Sequence, residues 1–145
     1  MKALIALLIS MSAGASVAAQ DVNSSDVPSI VVNALKTKFP NATDIEWELK
    51  GDVYKADFEN GKVDHDIWID ASGKITRHQQ EIEKKELPST IADQLAASYK
   101  DYRVEDIDKI EADGTTQYEI ELDGTKIDRK VTVGEDGKVV SDIED

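Results

Sequence analysis

The chain has no cysteine, three prolines, two histidines and two methionines in 145 residues. Without cysteine there is no disulfide, no thiolate metal site and no thiol nucleophile, so stability must come from the core. With only His65 and His78, the usual general base near neutral pH has two candidate positions. No glycine-rich phosphate loop, Gly-x-Ser-x-Gly elbow or His-Glu-x-x-His pair occurs, which removes the common signatures of nucleotide binding, serine hydrolysis and zinc proteolysis. Positive charge is short as well, at 17 Lys and Arg against 30 Asp and Glu. A surface this acidic repels nucleic acid and anionic lipid and attracts cations or basic protein patches.

Long apolar runs are confined to the start of the chain. Lys2, the apolar stretch Ala3 to Ile9 and the small residues Ser16 to Ala19 have the layout of a secretory signal peptide, and the stretch is shorter than the ~20 residues of a membrane span. Cleavage after Ala19, or after Ala18, is expected. Loss of Lys2 then leaves a net charge of 16 − 30 = −14. A cysteine-free exported chain fits a bacterial periplasm better than eukaryotic secretion, and no membrane insertion is expected after cleavage.

What the chain does have is a message given twice. Val27-Pro28-Ser29 opens an amphipathic stretch ending at Phe39, and Leu87-Pro88-Ser89 opens one ending at Tyr99, each pair 60 residues apart. Further on, Tyr54-x-Ala56-x-Phe58 answers to Tyr118-x-Ile120-x-Leu122 at a distance of 64. The same distance links Ile67-x-Ile69-x-x-x-Gly73-Lys74-Ile75 to Val131-x-Val133-x-x-x-Gly137-Lys138-Val139. A unit of about sixty residues buries a marginal core alone, and two can share one.

Within the first unit, apolar residues at 27, 30, 31, 34 and 35 mark one helical face, with Pro28 suited to a first turn and Pro40 ending the helix. Ile91, Leu95 and Tyr99 do the same in the second unit. The period then drops to two: Ile45, Trp47 and Leu49; Tyr54, Ala56 and Phe58; Val63, His65, Ile67 and Ile69 are dry faces of successive strands. The expected fold is α+β, a tandem repeat of a helix followed by a four-stranded antiparallel meander, with the two sheets side by side and the helices packed on one face. The bounds are 1–19 for the signal peptide, 20–26 for a loose lead, 27–79 for the first unit and 87–145 for the second. Residues 80–86, polar except Ile82, continue the fourth strand or link the units.

His65 shares the dry face of Ile67 and Ile69 and reads as structural, while His78 stands near a strand end and reads as solvated. Asp64 and Asp66 point away from His65 on a strand, so the three do not converge on an ion. Asp70 to Gly73 and Glu135-Asp136-Gly137 lack the ligand series of a calcium loop and read as turns. Neither catalytic residues, metal ligands nor a cofactor are expected, and the chain does not read as an enzyme.

Trp68 stands out. Alternation sends its indole to the opposite face, with Asp66 and Asp70, where a large aromatic either anchors a partner or is covered by a loop or a shifted register. The same face should carry Glu46, Glu48, Lys55 and Asp57, joined from the second unit by Glu119, Glu121, Asp128, Lys130 and Thr132. Trp47, between Ile45 and Leu49, reads as core.

The Val/Leu-Pro helix starts, Phe39-Pro40, Trp47, Tyr54-x-Ala-x-Phe58, Gly61 and Asp70-x-x-Gly73-Lys74 resemble the PepSY-like, β-lactamase-inhibitor-like proteins of bacterial periplasms. The resemblance runs from Val27 to about Ile143 and is carried mostly by the first unit, since Lys100 replaces the proline after the second helix and no tryptophan matches Trp47. It implies helix-plus-sheet units with a broad open sheet face, the face by which an inhibitor of that architecture grips an enzyme. The expected function is a periplasmic, non-enzymatic binding module presenting that acidic face to a protein or peptide with a basic surface. The alternative is diffuse cation binding or buffering in the envelope.

Overall fold

The computed structural model describes residues 18–145, so the signal-peptide reading falls largely outside the described residues. Nine strands form one antiparallel sheet in sequence order: β1 Gln20–Val22, β2 Ala42–Lys50, β3 Val53–Asn60, β4 Val63–Asp70, β5 Ile75–Glu81, β6 Arg103–Ala112, β7 Thr115–Asp123, β8 Arg129–Gly134 and β9 Val139–Glu144. Two helices, α1 Ser29–Lys38 and α2 Ser89–Ser98, stand before β2 and β6. The class is α+β. Among the described residues, no helix is long and apolar enough to cross a membrane.

Each helix starts from a proline that lies one residue outside it. The Pro28 carbonyl accepts from the N–H groups of Val31 and Val32, and that of Pro88 from Ile91 and Ala92, so the fixed φ of the ring sets the entry angle without losing a helical bond. Val31 and Leu35 of α1 pack with Phe39 onto Trp47, Ala56, Phe58, Ile67 and Ile69, forming one core. Ile91 and Leu95 of α2 pack onto Ile107, Tyr118, Ile120, Leu122, Val131 and Val133, forming a second. Burying each large aliphatic side chain contributes about 1.5–3 kcal/mol. Gly73 and Gly137, with φ of +85° and +84°, sit in the β4–β5 and β8–β9 turns, where the chain comes against Ile30 and Thr90 in the first turn of each helix. A side chain at either would meet both a positive φ and the helix.

The seam between the cores is a strand pair. β5 pairs with β6 from Arg77↔Ala112 to Glu81↔Asp108, so the sheet is continuous where the sequence left the join open. Following register across β4, β5, β6 and β7 carries His65 and Ile67 to the same face as Ile107 and Ile120, and both helices therefore lie on one face.

The stretch expected as a loose lead contains β1, whose Val22 pairs with Trp47; an apolar residue beside a large indole has area to bury there. Gln80 and Glu81 finish β5, and Lys84–Glu86 makes one short turn, its Glu83 and Glu86 side chains bonded reciprocally to backbone.

Candidate functional site

The face without helices is where the polar strand residues converge. Register places Glu46, Asp57 and Asp66 in one cross-strand row, and Glu48, Lys55 and Trp68 in the next. The second row continues through Arg77, Ala112 and Thr115, and the first through Gln79, Ile110 and Gln117. Asp70 stands opposite Val53 on the same face. Glu119 pairs with Thr132 and Glu121 with Lys130, and Glu119 joins the open face through Asp108 and Glu81. Eleven of the twelve residues expected on this face thus lie on it, Asp128 being the exception.

Their roles differ. Asp70 is spent on its own turn, its Oδ1 accepting from the Ser72 and Lys74 N–H groups and the Ser72 hydroxyl, which holds its carboxyl below the usual value. Asp128 precedes β8 and is not an open-face strand residue; its Oδ1 accepts from the Gly124 N–H and closes the β7–β8 connection. That role belongs to turn chemistry, which alternation counting along the strand passed over.

Two lysine-centred clusters flank the middle of the face. Lys55 Nζ lies 2.8 Å from Asp57 and 3.5 Å from Asp66, and Lys130 Nζ lies 3.7 Å from Glu119 and 3.4 Å from Glu121. Asp57 and Asp66 face each other directly. Burial first, then the bond to and the charge of Asp57, push Asp66 up to about 7. Burial also works against charge at Asp57, but the bonds from Asp66 and Lys55 outweigh it and lower its value.

Between the clusters lies Trp68. Lys55 Nζ is 5.4 Å and the Arg77 guanidinium carbon 4.9 Å from its ring centroid, both within cation–π range. Its immediate neighbours across the strands are cations and not the acids beside it in sequence. Arg77 and Ile110 escaped the sequence reading because Thr76 bulges out of the β4–β5 ladder and β6 bulges between Val104 and Ile107, shifting which residues face outward. Ile110 is only 7% exposed on the open face, where it and Ala112, Asp113, Thr115 and Gln117 line a hollow of about 240 Å³.

The histidines meet on the helix side. His65 Nδ1 is 2.9 Å from His78 Nε2, and His78 Nδ1 is 3.4 Å from Glu111 Oε2 on β6. The rings are nearly parallel and pack against Phe39, with Phe58 beside His65. A carboxylate at His78 Nδ1 calls for a proton there, which leaves Nε2 as the acceptor of the His65 Nδ1–H. Both residues are buried. The expectation that His78 is solvated is therefore corrected: it stands within β5 opposite Ile67 and is covered because β6 pairs on its other side. Burial, then the charge of His78, lowers His65; burial, then Lys38, lowers His78 against the pull of Glu111. Among the described residues, no three His, Asp or Glu side chains are grouped to hold a metal ion.

A family model described as beta-lactamase-inhibitor-like, PepSY-like matches residues 15–77 and again 52–141. No curated protein sequence matches the chain. Among solved structures, a BLIP-like protein from Bacteroides fragilis aligns with 24% identity and a TM-score of 0.69, covering 81% of this chain and 85% of its own. A DUF2874 family protein from Bacteroides uniformis aligns with 20% identity and a TM-score of 0.73, over 81% and 88%. A Bacteroides eggerthii structure named as periplasmic gives the same four values. At such identities these likenesses establish a shared fold.

Proposed function

The chain belongs to the beta-lactamase-inhibitor-like, PepSY-like family, and on that premise we propose that it is a non-enzymatic periplasmic binding module whose open sheet face takes a protein or peptide partner. The observation that carries this reading is Trp68, a large aromatic on the face opposite both helices, flanked by Lys55 and Arg77 and bordered by carboxylates. Half-buried aromatics and arginines in a polar surround are the usual anchors of protein interfaces. The periplasmic placement draws on the layout of residues 1–19 and on the naming of the Bacteroides eggerthii relative.

The two units, 27–79 and 87–145, are taken as a duplication with 80–86 between them, which supplies a face wide enough for a standard interface of about 800 Å² per partner. Acidic residues around the rim, Glu46, Glu48, Glu119 and Glu121, suit a partner that is basic over most of its footprint and speed encounter more than they deepen affinity. Such a grip could be inhibitory if the partner is an enzyme. Nothing in the histidine pair argues for catalysis: both nitrogens of His78 already have partners. Diffuse cation buffering draws support only from the net charge.

A pull-down from periplasmic extract with intact protein and Trp68→Ala side by side tests the proposal. Retention of a defined protein by the intact chain, and its loss from the variant at nearly unchanged Tm, is expected. Equal retention by both would remove the open face from the account.

A further inference from the structure

Resting on the open face as the docking surface, we infer that Arg77 is its reading residue, and that what it reads is the carboxylate of a partner's Asp or Glu side chain. The face is acidic by count, yet four of its carboxylates are already engaged: Asp57 and Asp66 by Lys55, Glu119 and Glu121 by Lys130. Glu46, Glu48 and Asp108 also lie in no ion pair among the described residues, but beside Trp68 the charge without a counter-ion is positive, that of Arg77. Of the three arginines, Arg103 pairs with Asp123 and Glu105, and Arg129 with Asp142 at 2.6 Å. Arg77 has no carboxylate within ion-pair distance among the described residues; its Nη2 donates to Gln79 Oε1 at 3.0 Å, and its buried Nε has no acceptor.

A half-buried cation without a counter-charge is costly to keep. Here it is held in place by the Trp68 ring at 4.9 Å and is pre-organised to meet a carboxylate with its planar fork. The row beyond Arg77 continues in the small residues Ala112 and Thr115, and these line the hollow of about 240 Å³ whose apolar floor is Ile110. Arg77 stands beside this hollow through its strand partner Ala112, with Asp113 on the far lip, so the methylenes of a Glu side chain would lie over Ile110 with the carboxylate directed to the guanidinium and away from Asp113. A lysine or arginine in the same place would meet Arg77 and Lys55 with like charge.

A phage-displayed library of twelve-residue peptides, panned on intact protein, tests this through the binding of its enriched members to Trp68→Ala, Arg77→Gln, Arg77→Lys and Lys50→Gln, each first shown folded by circular dichroism. Enriched peptides should carry an Asp or Glu at a fixed position and bind R77Q at least tenfold more weakly. R77K should fall between, because it keeps the charge and loses the fork. K50Q, the same charge change elsewhere on this face, should alter binding less than twofold, and changing the peptide's acid to its amide should match the R77Q loss. Peptides weakened by W68A but indifferent to R77Q, or enriched without an acid, would overturn the carboxylate assignment and leave the open-face reading standing. Peptides indifferent to W68A and R77Q alike, or no enrichment at all, would overturn both.

Discussion

Sixty-four residues separate His65 from Arg129 and His78 from Asp142, and each pair spans its two strands on the same diagonal, β4 to β5 in one case and β8 to β9 in the other. In the first place stand two buried rings held towards the neutral form, with His65 Nδ1 2.9 Å from His78 Nε2. In the second stands an ion pair at 2.6 Å, with the Tyr99 hydroxyl donating to the same carboxylate at 2.8 Å. What differs is the neighbour. β5 is covered on its far side by β6, while β9 is the sheet edge. An ion pair keeps part of its hydration at an edge, and a covered position favours a pair that need carry no charge.

On the open face the contrast has the opposite weight. Both units hold one lysine between two carboxylates, but Trp68 and Arg77 of the first have Thr132 and Ser141 as counterparts in the second, and each couple is paired across its strands. The second unit keeps a lysine with two carboxylates, moved to the neighbouring strand, since Lys55, Asp57 and Asp66 correspond to Glu119, Glu121 and Lys130. It lacks the anchor. Shared features therefore describe the scaffold, and the unshared couple is where recognition is assigned.

The comparison can be broken in four ways, from large effects to small. Leu35→Ala and Leu95→Ala remove matching helix anchors from the two cores, and each should cost about 3–5 kcal/mol. Because β5 and β6 join the sheet, chemical denaturation of either variant should still show one transition by tryptophan fluorescence and circular dichroism alike; two separated transitions would mean the units unfold independently.

Transplanting the edge ion pair inward, as His65→Arg with His78→Asp, should cost about 2–4 kcal/mol, since both charges lose hydration and Arg overfills the space. It should also remove a pH dependence. Both histidines are held below their ordinary value, so as pH falls below about 6.5 the unfolded chain takes up protons that the folded pair refuses, and stability is lost in that direction. Tm measured from pH 7.5 to 5 should therefore fall more steeply in the natural chain than in the double variant.

Giving the first unit the second's residues, Trp68→Thr with Arg77→Ser, should cost only about 1–2 kcal/mol of stability, mostly cation–π contact and part-buried area. A loss as large as that of Leu35→Ala would show Trp68 to be core. Smallest is Asp66→Asn. Asp66 titrates near 7 in the folded chain against 3.8 ordinarily, so its charge destabilises increasingly as pH rises between those values. The variant should gain stability at pH 8, on the order of 1 kcal/mol after allowance for solvent screening, and the gain should vanish near pH 4.

Much of this frame was legible in the residues. Proline at each helix start, glycine in the β4–β5 and β8–β9 turns and period-two runs such as Ile67 and Ile69 state local backbone requirements that neighbours do not override. Trp68 was legible through alternation alone. The fourth strand was expected, but its far end and its pairing were not legible: Thr76 to Glu81 carries no apolar residue, because its inward positions are filled by His78 and Gln80 and its cover comes from β6, a strand more than twenty residues away. The Arg77 and Ile110 placements were hidden by bulges, which flip the parity that alternation depends on.

The central claim, that recognition belongs to the Trp68 couple and not to its counterpart, is tested most directly by placing a photo-reactive phenylalanine analogue at residue 68 or at residue 132 and irradiating each protein in periplasmic extract. A discrete protein adduct from position 68, with none or far less from position 132, is the predicted result. Equal adducts from both positions, or one from position 132 alone, would contradict it.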